Sequence, residues 1–131
     1  MPDSERQDLI QFRLERAHEC LSSAIRELDA GAYRTAANRS YYCIFHAMRA
    51  VLALDGFDSK KHSGVISMFR QKYLKTDLFS SEFSDMIRDA FTNRGQSDYS
   101  DFFVISKEDT SEQIENAKTF LAAVDNYINS L

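Results

Sequence analysis

The chain has 131 residues, 44% of them hydrophobic, with one proline and four glycines. That is enough apolar material for a core without metal or disulfide support, and too few turn residues for a β-rich fold, so one helical domain over 1–131 is expected. A formal net charge of −4 argues against the broad basic surface that grips DNA nonspecifically, but leaves room for a small cationic pocket that acts on RNA.

The N-terminal stretch Met1-Pro-Asp-Ser-Glu-Arg is polar, and no apolar run approaches the ~20 residues of a membrane span; neither a secretory leader nor a membrane anchor is expected. Ser4-Glu5-Arg6-Gln7 has the form of a capping box and opens the first helix. Ile10, Leu14, Ala17, Leu21, Ala24 and Leu28 then recur in steps of four and three, one continuous apolar seam. Gly31 stands where a left-handed stop belongs. The second helix, from about Ala32 to Leu54, ends at Asp55-Gly56. It carries two apolar stripes (Ile44, Ala47, Val51, Leu54 and Tyr41, Phe45, Met48, Leu52), which predicts a central position. Its third stripe is polar: Arg39, Tyr42, His46 and Arg49 share one face.

A shorter third helix is predicted over Ser63–Leu74, with Val65, Ile66, Phe69 and Tyr73 inward. Ser80 or Ser81 caps the fourth, where Phe83, Ile87, Ala90 and Arg94 make one stripe, so Arg94 projects from the core-facing side; Gly95 is expected to end it. Gln96–Ser106 reads as irregular, with Phe102-Phe103-Val104-Ile105 docking on the helices. The last helix starts between Ser106 and Thr110 and repeats Ile114, Ala117, Leu121, Val124, Ile128 and Leu131. The architecture implied is all-α: an antiparallel four-helix up-down bundle with an additional short helix, five in all. Cys20 and Cys43 both fall in helical apolar patterns and form no C-x-x-C pair, which fits reduced core thiols of a cytoplasmic protein.

Several residues carry two readings each. Arg94 on a core-facing stripe either binds a phosphate or pairs with a buried carboxylate such as Asp98; an unpaired buried charge is costly in both cases. His46 is either a hydrogen-bonded core histidine or an acid–base group, with Tyr42 one turn away to orient it. The Arg39, Tyr42, His46 and Arg49 row is either a polar seam that fixes register or a bed for an anion, because guanidinium forks grip phosphate. Lys60, Lys61 and His62 form a small basic cluster at a helix start, which either holds a phosphate or is simply a solvated turn. His18, His46 and His62 lack metal-ligand spacing, and there is no Gly-rich phosphate loop and no Ser-His-Asp signature, so neither a metal nor a cofactor is expected.

Three blocks resemble one family. Ala37-Asn-Arg-Ser-Tyr-Tyr-Cys-Ile-Phe-His46-Ala is similar to the second-helix signature of HEPN domains (higher eukaryotes and prokaryotes nucleotide-binding). Lys60-Lys-His-Ser-Gly-Val-Ile66 with Phe69 resembles their Lys-x-His-x-Gly segment, and Arg94-Gly-Gln-Ser-Asp-Tyr99 their Arg-x-x-x-Asp-Tyr ending. The blocks match in order and spacing, and the likeness spans Ala32 to Tyr127. It implies a helical bundle, commonly a homodimer. Many members are metal-independent endoribonucleases, and many are toxins encoded beside a minimal nucleotidyltransferase antitoxin. Their ribonuclease motif is Arg-x(4–6)-His, with the arginine on the scissile phosphate and the histidine as acid or base.

Arg94 matches that arginine, but five residues on stands Tyr99 instead of histidine. A phenol with an ordinary pKa of ~10 is a poor base at neutral pH, though it can donate a hydrogen bond. Some relatives beside a nucleotidyltransferase carry a tyrosine here that accepts AMP, a position Tyr99 resembles. A second Arg-x(6)-His match, Arg39 to His46, lies within the second helix. The candidate catalytic set is therefore Arg94, Tyr99, Asp98, His46 and Arg39, with Arg49, Tyr42, Lys60, Lys61 and His62 for phosphate or RNA. Three function classes follow: an endoribonuclease toxin paired with a nucleotidyltransferase antitoxin, a non-catalytic subunit that binds a nucleotide or a partner and is modified at Tyr99, and a dimerisation scaffold.

Overall fold

The computed structural model describes residues 3–99 and 104–131, without the side chains of 96–99. Five α-helices follow in order: α1 (Ser4–Asp29), α2 (Tyr33–Ala53), α3 (His62–Phe69), α4 (Glu82–Tyr99) and α5 (Lys107–Asn129). A single π-helical turn, Arg70–Leu74, continues α3. No strand occurs among the described residues. Nor is any described helix long and apolar enough to cross a membrane.

The helix ends show why the chain breaks where it does. Asp3, one residue before the expected cap, accepts the Arg6 backbone N–H at 2.8 Å and opens α1; a carboxylate there also suits the positive end of the helix dipole. At the other end Gly31 sits at φ +79°. Its N–H donates to the Leu28 carbonyl at 3.0 Å, and the Ala32 N–H to Glu27 at 2.8 Å. This crossed pair of bonds is the Schellman closure, and it needs the left-handed conformation. The same pair closes α2, where Gly56 (φ +70°) donates to Ala53 and Phe57 to Leu52, both at 3.1 Å. Ser106 caps α5 by accepting from Asp109 N–H at 3.0 Å.

Gly95 does not end α4, which runs on to Tyr99. It is absent from the positive-φ glycines, and a glycine inside a helix costs only about 1 kcal/mol relative to alanine, too little to stop one by itself. Asp98 and Tyr99 thus fall in the last helical turn, with their side chains outside the described residues. Of the run expected to dock, Ile105 is buried while Val104 is 87% exposed; Phe102 and Phe103 lie outside the described residues.

The bundle is arranged around α2, which packs against α1, α3, α4 and α5. Tyr41, Ile44, Met48, Val51 and Leu52 are fully enclosed. Ile10, Leu14, Ala17 and Ala24 of α1 and Ile114, Ala117, Leu121 and Val124 of α5 face it as their spacing requires. The α5 seam frays at its end, where Leu131 is exposed. Phe69, Phe79, Phe83 and Phe120 meet largely edge to face at one end of the core. A buried amide fixes register. The Gln113 Nε2 of α5 donates to the Ala37 carbonyl (2.8 Å) and Ser40 Oγ (2.7 Å) of α2, and its Oε1 accepts from Asn93 Nδ2 of α4 (2.8 Å).

An added Cβ at Gly31 would meet nothing within 4 Å, so the cost of Gly31→Ala is backbone strain alone. Chemical denaturation should show a loss of about 1–2 kcal/mol with an unchanged m-value. A neutral result would mean that the α1–α2 turn is not held in its left-handed form.

Candidate functional site

Two consecutive tyrosines of α2 part company. Tyr41 is fully buried, and its hydroxyl lies 2.6 Å from Nδ1 of His62, the first residue of α3. The imidazole stacks on Phe45 with centroids 4.2 Å apart and planes 20° apart. Tyr42 is half-buried, edge-on to the same imidazole at 5.8 Å. Its hydroxyl accepts a long hydrogen bond, 3.4 Å, from Arg94 Nη2 of α4, and the Arg39 guanidinium covers its ring at 5.3 Å. Burial pushes the Tyr41 phenol well above its ordinary range, and the positive charge of Arg94 partly opposes that shift. Arg94 and His62 thus approach one pair of tyrosines from two different helices.

The polar stripe of α2 therefore splits. Arg39 and Tyr42 join Arg94, while Arg49 turns to Asp58 and grips both carboxylate oxygens at 3.0 and 3.1 Å. Arg13 of α1, buried although charged, reaches the same carboxylate at 3.1 Å and the Arg49 carbonyl at 2.9 Å. Partial burial works to raise the Asp58 pKa, but the Arg49 and Ser59 hydrogen bonds and the two arginine charges outweigh it and hold the group below its usual range. His46 is half-buried in this second cluster. Burial first, then the charges of Arg16, Arg49, Arg13 and Arg39, bring it down to about 4. It is a neutral imidazole at pH 7.

Lys60 and Lys61 are exposed, and Lys61 precedes the first turn of α3. Tyr41 and Phe45, which spacing assigns to the core, supply the hydroxyl and the ring that hold His62. Nothing in the sequence pairs position 41 with position 62. Arg13 and Asp58 were equally hidden, because Arg13 sits inside an apolar seam and Asp58 in a connection. Cys20 and Cys43 are buried, and burial raises both thiols above their usual range.

Beside the Tyr41 cluster a groove of about 510 Å³ runs between α3 and α4, lined by Ser63, Ile66, Arg70, Lys75, Arg88 and Phe91 among others, none of them acidic. Phe91 reaches the cluster, its ring 6.0 Å from that of Tyr41. The Nη2 of Arg70 donates to the Ser84 carbonyl at 3.1 Å; its buried Nε has no hydrogen-bond partner among the described residues. Across α4 a second groove, about 330 Å³, carries Asp89, Asp109 and Glu112 and no cation.

Residues 10–127 match the family model described as HEPN domain. The chain belongs to the HEPN family. A UPF0332 protein of Thermotoga maritima is 30% identical over 128 residues, covering 98% of this chain and 97% of that one. A UPF0332 protein of Archaeoglobus fulgidus is 30% identical over 122 residues, 93% of this chain and 97% of the other. A toxin candidate of Methanocaldococcus jannaschii, MJ0142, is 29% identical over 117 residues, 89% and 80% of the two chains. Within this HEPN fold the Arg94, Tyr42, Tyr41 and His62 cluster joins all three sequence blocks.

The depressed His46 pKa has a consequence for stability. The unfolded chain, with histidine near 6.5, binds the proton before the folded one does at about 4. Stability from this group is complete above pH 6.5 and is lost as pH falls towards about 4. In paired urea titrations His46→Gln should lose less stability than the parent across that window, by on the order of 1 kcal/mol, less than full linkage because the ring is partly solvated. Parallel slopes would show that neither burial nor the arginines depress the His46 pKa.

Proposed function

We propose that this HEPN protein is a toxin that cuts RNA without a metal ion, with Arg94 binding the scissile phosphate. The observation that carries the reading is the guanidinium of Arg94 on the Tyr42 hydroxyl, with Arg39 stacked over the same ring. Two forked cations and the Tyr42 hydroxyl around one aromatic ring suit a phosphodiester, and they offer most to the extra charge that develops on phosphorus in the transition state. The neighbouring 2′-hydroxyl attacks, which needs no metal. The groove alongside, which has no acid among the described residues, gives the flanking strand a cationic path in a protein of net charge −4. The family and the toxin candidate among the relatives support the same direction. In this proposal the protein acts in the cytoplasm as a homodimer and is held in check by a nucleotidyltransferase antitoxin.

Arg94→Ala should lower cleavage of a single-stranded RNA in EDTA by about 10²–10³-fold, with an unchanged circular-dichroism spectrum. A folded Arg94→Ala protein that cuts at the parental rate would sink the mechanism.

A second reading rests on Tyr99, which stands where nuclease motifs carry histidine. In that case the bundle binds a nucleotide or its nucleotidyltransferase partner, and Tyr99 accepts AMP. Mass spectrometry after incubation with ATP and the partner enzyme would show an adenylyl mass on Tyr99, absent in Tyr99→Phe. Titration calorimetry with ATP and with AMP should then show heat, and its absence would count against a nucleotide site.

A further inference from the structure

We infer that His62 is the proton-transfer group of the Arg94 site, supplied from α3 in place of the histidine missing after Arg94, and that Tyr41 is its positioning residue. The inference rests on the RNA-cleavage reading above. Cleavage by a 2′-hydroxyl needs a group to take its proton. A phenol, whose ordinary pKa is ~10, takes protons poorly at neutral pH, so Tyr99 does not suit that role. His46 stands among Arg13, Arg16, Arg39 and Arg49, on the side of α2 that turns towards α1. His62 shares two neighbours with Arg94: Tyr42, whose ring also lies 6.1 Å from that of His46, touches both, and Tyr41 feels the charge of one while bonding the other.

Its setting is that of an oriented imidazole. Nδ1 is fixed by the buried Tyr41 hydroxyl at 2.6 Å and the ring plane by Phe45. That leaves one rotamer, and the tautomer follows the direction of the Tyr41 bond. When Nδ1–H donates to the Tyr41 oxygen, Nε2 carries the lone pair. The 2′-hydroxyl gives its proton to Nε2 while its oxygen bonds phosphorus. The bond from phosphorus to the 5′-oxygen breaks, and that oxygen takes a proton from water. The imidazolium then returns its proton to solvent, leaving a 2′,3′-cyclic phosphate and a 5′-hydroxyl. The Tyr41 oxygen accepts from Nδ1–H throughout, and Arg94 neutralises the phosphate. Among the described residues, the charged and titratable groups around the ring include Tyr41 and Tyr42 of α2 with Arg39 over the latter, Arg94 of α4, and Lys60 and Lys61 in the preceding segment.

The test uses the full chain, a fluorophore–quencher single-stranded RNA in EDTA, and rates from pH 5 to about 9, a range chosen to span an ordinary histidine. His62→Asn keeps a polar atom opposite Tyr41 and removes Nε2; His62→Gln keeps a polar atom near Nε2 that cannot carry the proton. Both should lower kcat by about 10²–10⁴-fold with KM nearly unchanged, and both should lose the acidic limb of the pH–rate profile. Tyr41→Phe should displace that limb and lower kcat by about tenfold without changing KM. His18→Ala, an exposed residue paired with Asp125, should match the parent. A folded His62→Asn or His62→Gln protein with the parental profile, beside an inactive Arg94→Ala, would overturn the inference and leave the nuclease reading standing. Loss of the limb in a His46 variant instead would overturn it too. Parental RNA left uncut removes both.

Discussion

The structure depends on how completely α2 is surrounded. Four neighbours close over two of its stripes and leave one narrow strip half-solvated. Side chains on that strip can neither be apolar, because the strip meets water, nor be charged without a partner, because it is half-buried. The chain resolves this in three physical ways. Arg49 pairs with Asp58 across a connection. Arg39 lies on an aromatic ring. His46 gives up its proton. The last two leave local cation and imidazole chemistry only thinly covered, and that is where a site can open without undoing the core.

The helices were legible because their apolar residues recur at fixed steps and their stops carry glycine in left-handed conformation. The seam from Ile10 to Ala24 and the stop at Gly31 are local facts, settled within one or two turns. Gly95 misled because glycine has two uses in a helix. At Gly31 and Gly56 crossed carbonyl bonds demand positive φ, while at Gly95 no such closure follows and the helix continues. The site was only half legible. Arg94 reaches Tyr42 from the inward stripe that spacing predicts, and Arg39 joins it there, but the partnership of Tyr41 with His62 spans 21 positions. It depends on where α3 docks, which is a tertiary result. Asp58, which fixes Arg13 and Arg49, carries no pattern at all.

Net charge is a poor guide to local field here. A chain of net −4 separates its signs across the width of one helix. Among the described residues, the groove on one side of α4, towards α3, has Arg70, Lys75 and Arg88 and no acid; on the other the groove towards α5 has Asp89, Asp109 and Glu112 and no base. An anionic strand that approaches α4 meets attraction on one flank and repulsion on the other, so the field selects a direction as well as a place. Phe91 links the attractive flank to Tyr41, and through Tyr41 to Arg94. Because Arg88 is also held by Asp85 and Asp89, Arg70 and Lys75 carry most of that attraction.

Two histidines of one chain illustrate how environment divides a residue type into roles. His46 sits among four guanidiniums; protonating it adds a fifth positive charge to a half-buried cluster, and the ring stays neutral. His62 faces a neutral phenol whose own ionisation burial suppresses. A phenol that does not ionise stays a neutral hydrogen-bond partner for the imidazole. Linear motifs that place arginine and histidine on the same turn build this relation within one helix. Here the two groups come from α4 and α3 and are brought together by adjacent residues of α2, so the geometry is held by the packing of three helices. Mutations in the core around Tyr41 and Phe45 therefore act on the site as directly as mutations at its rim.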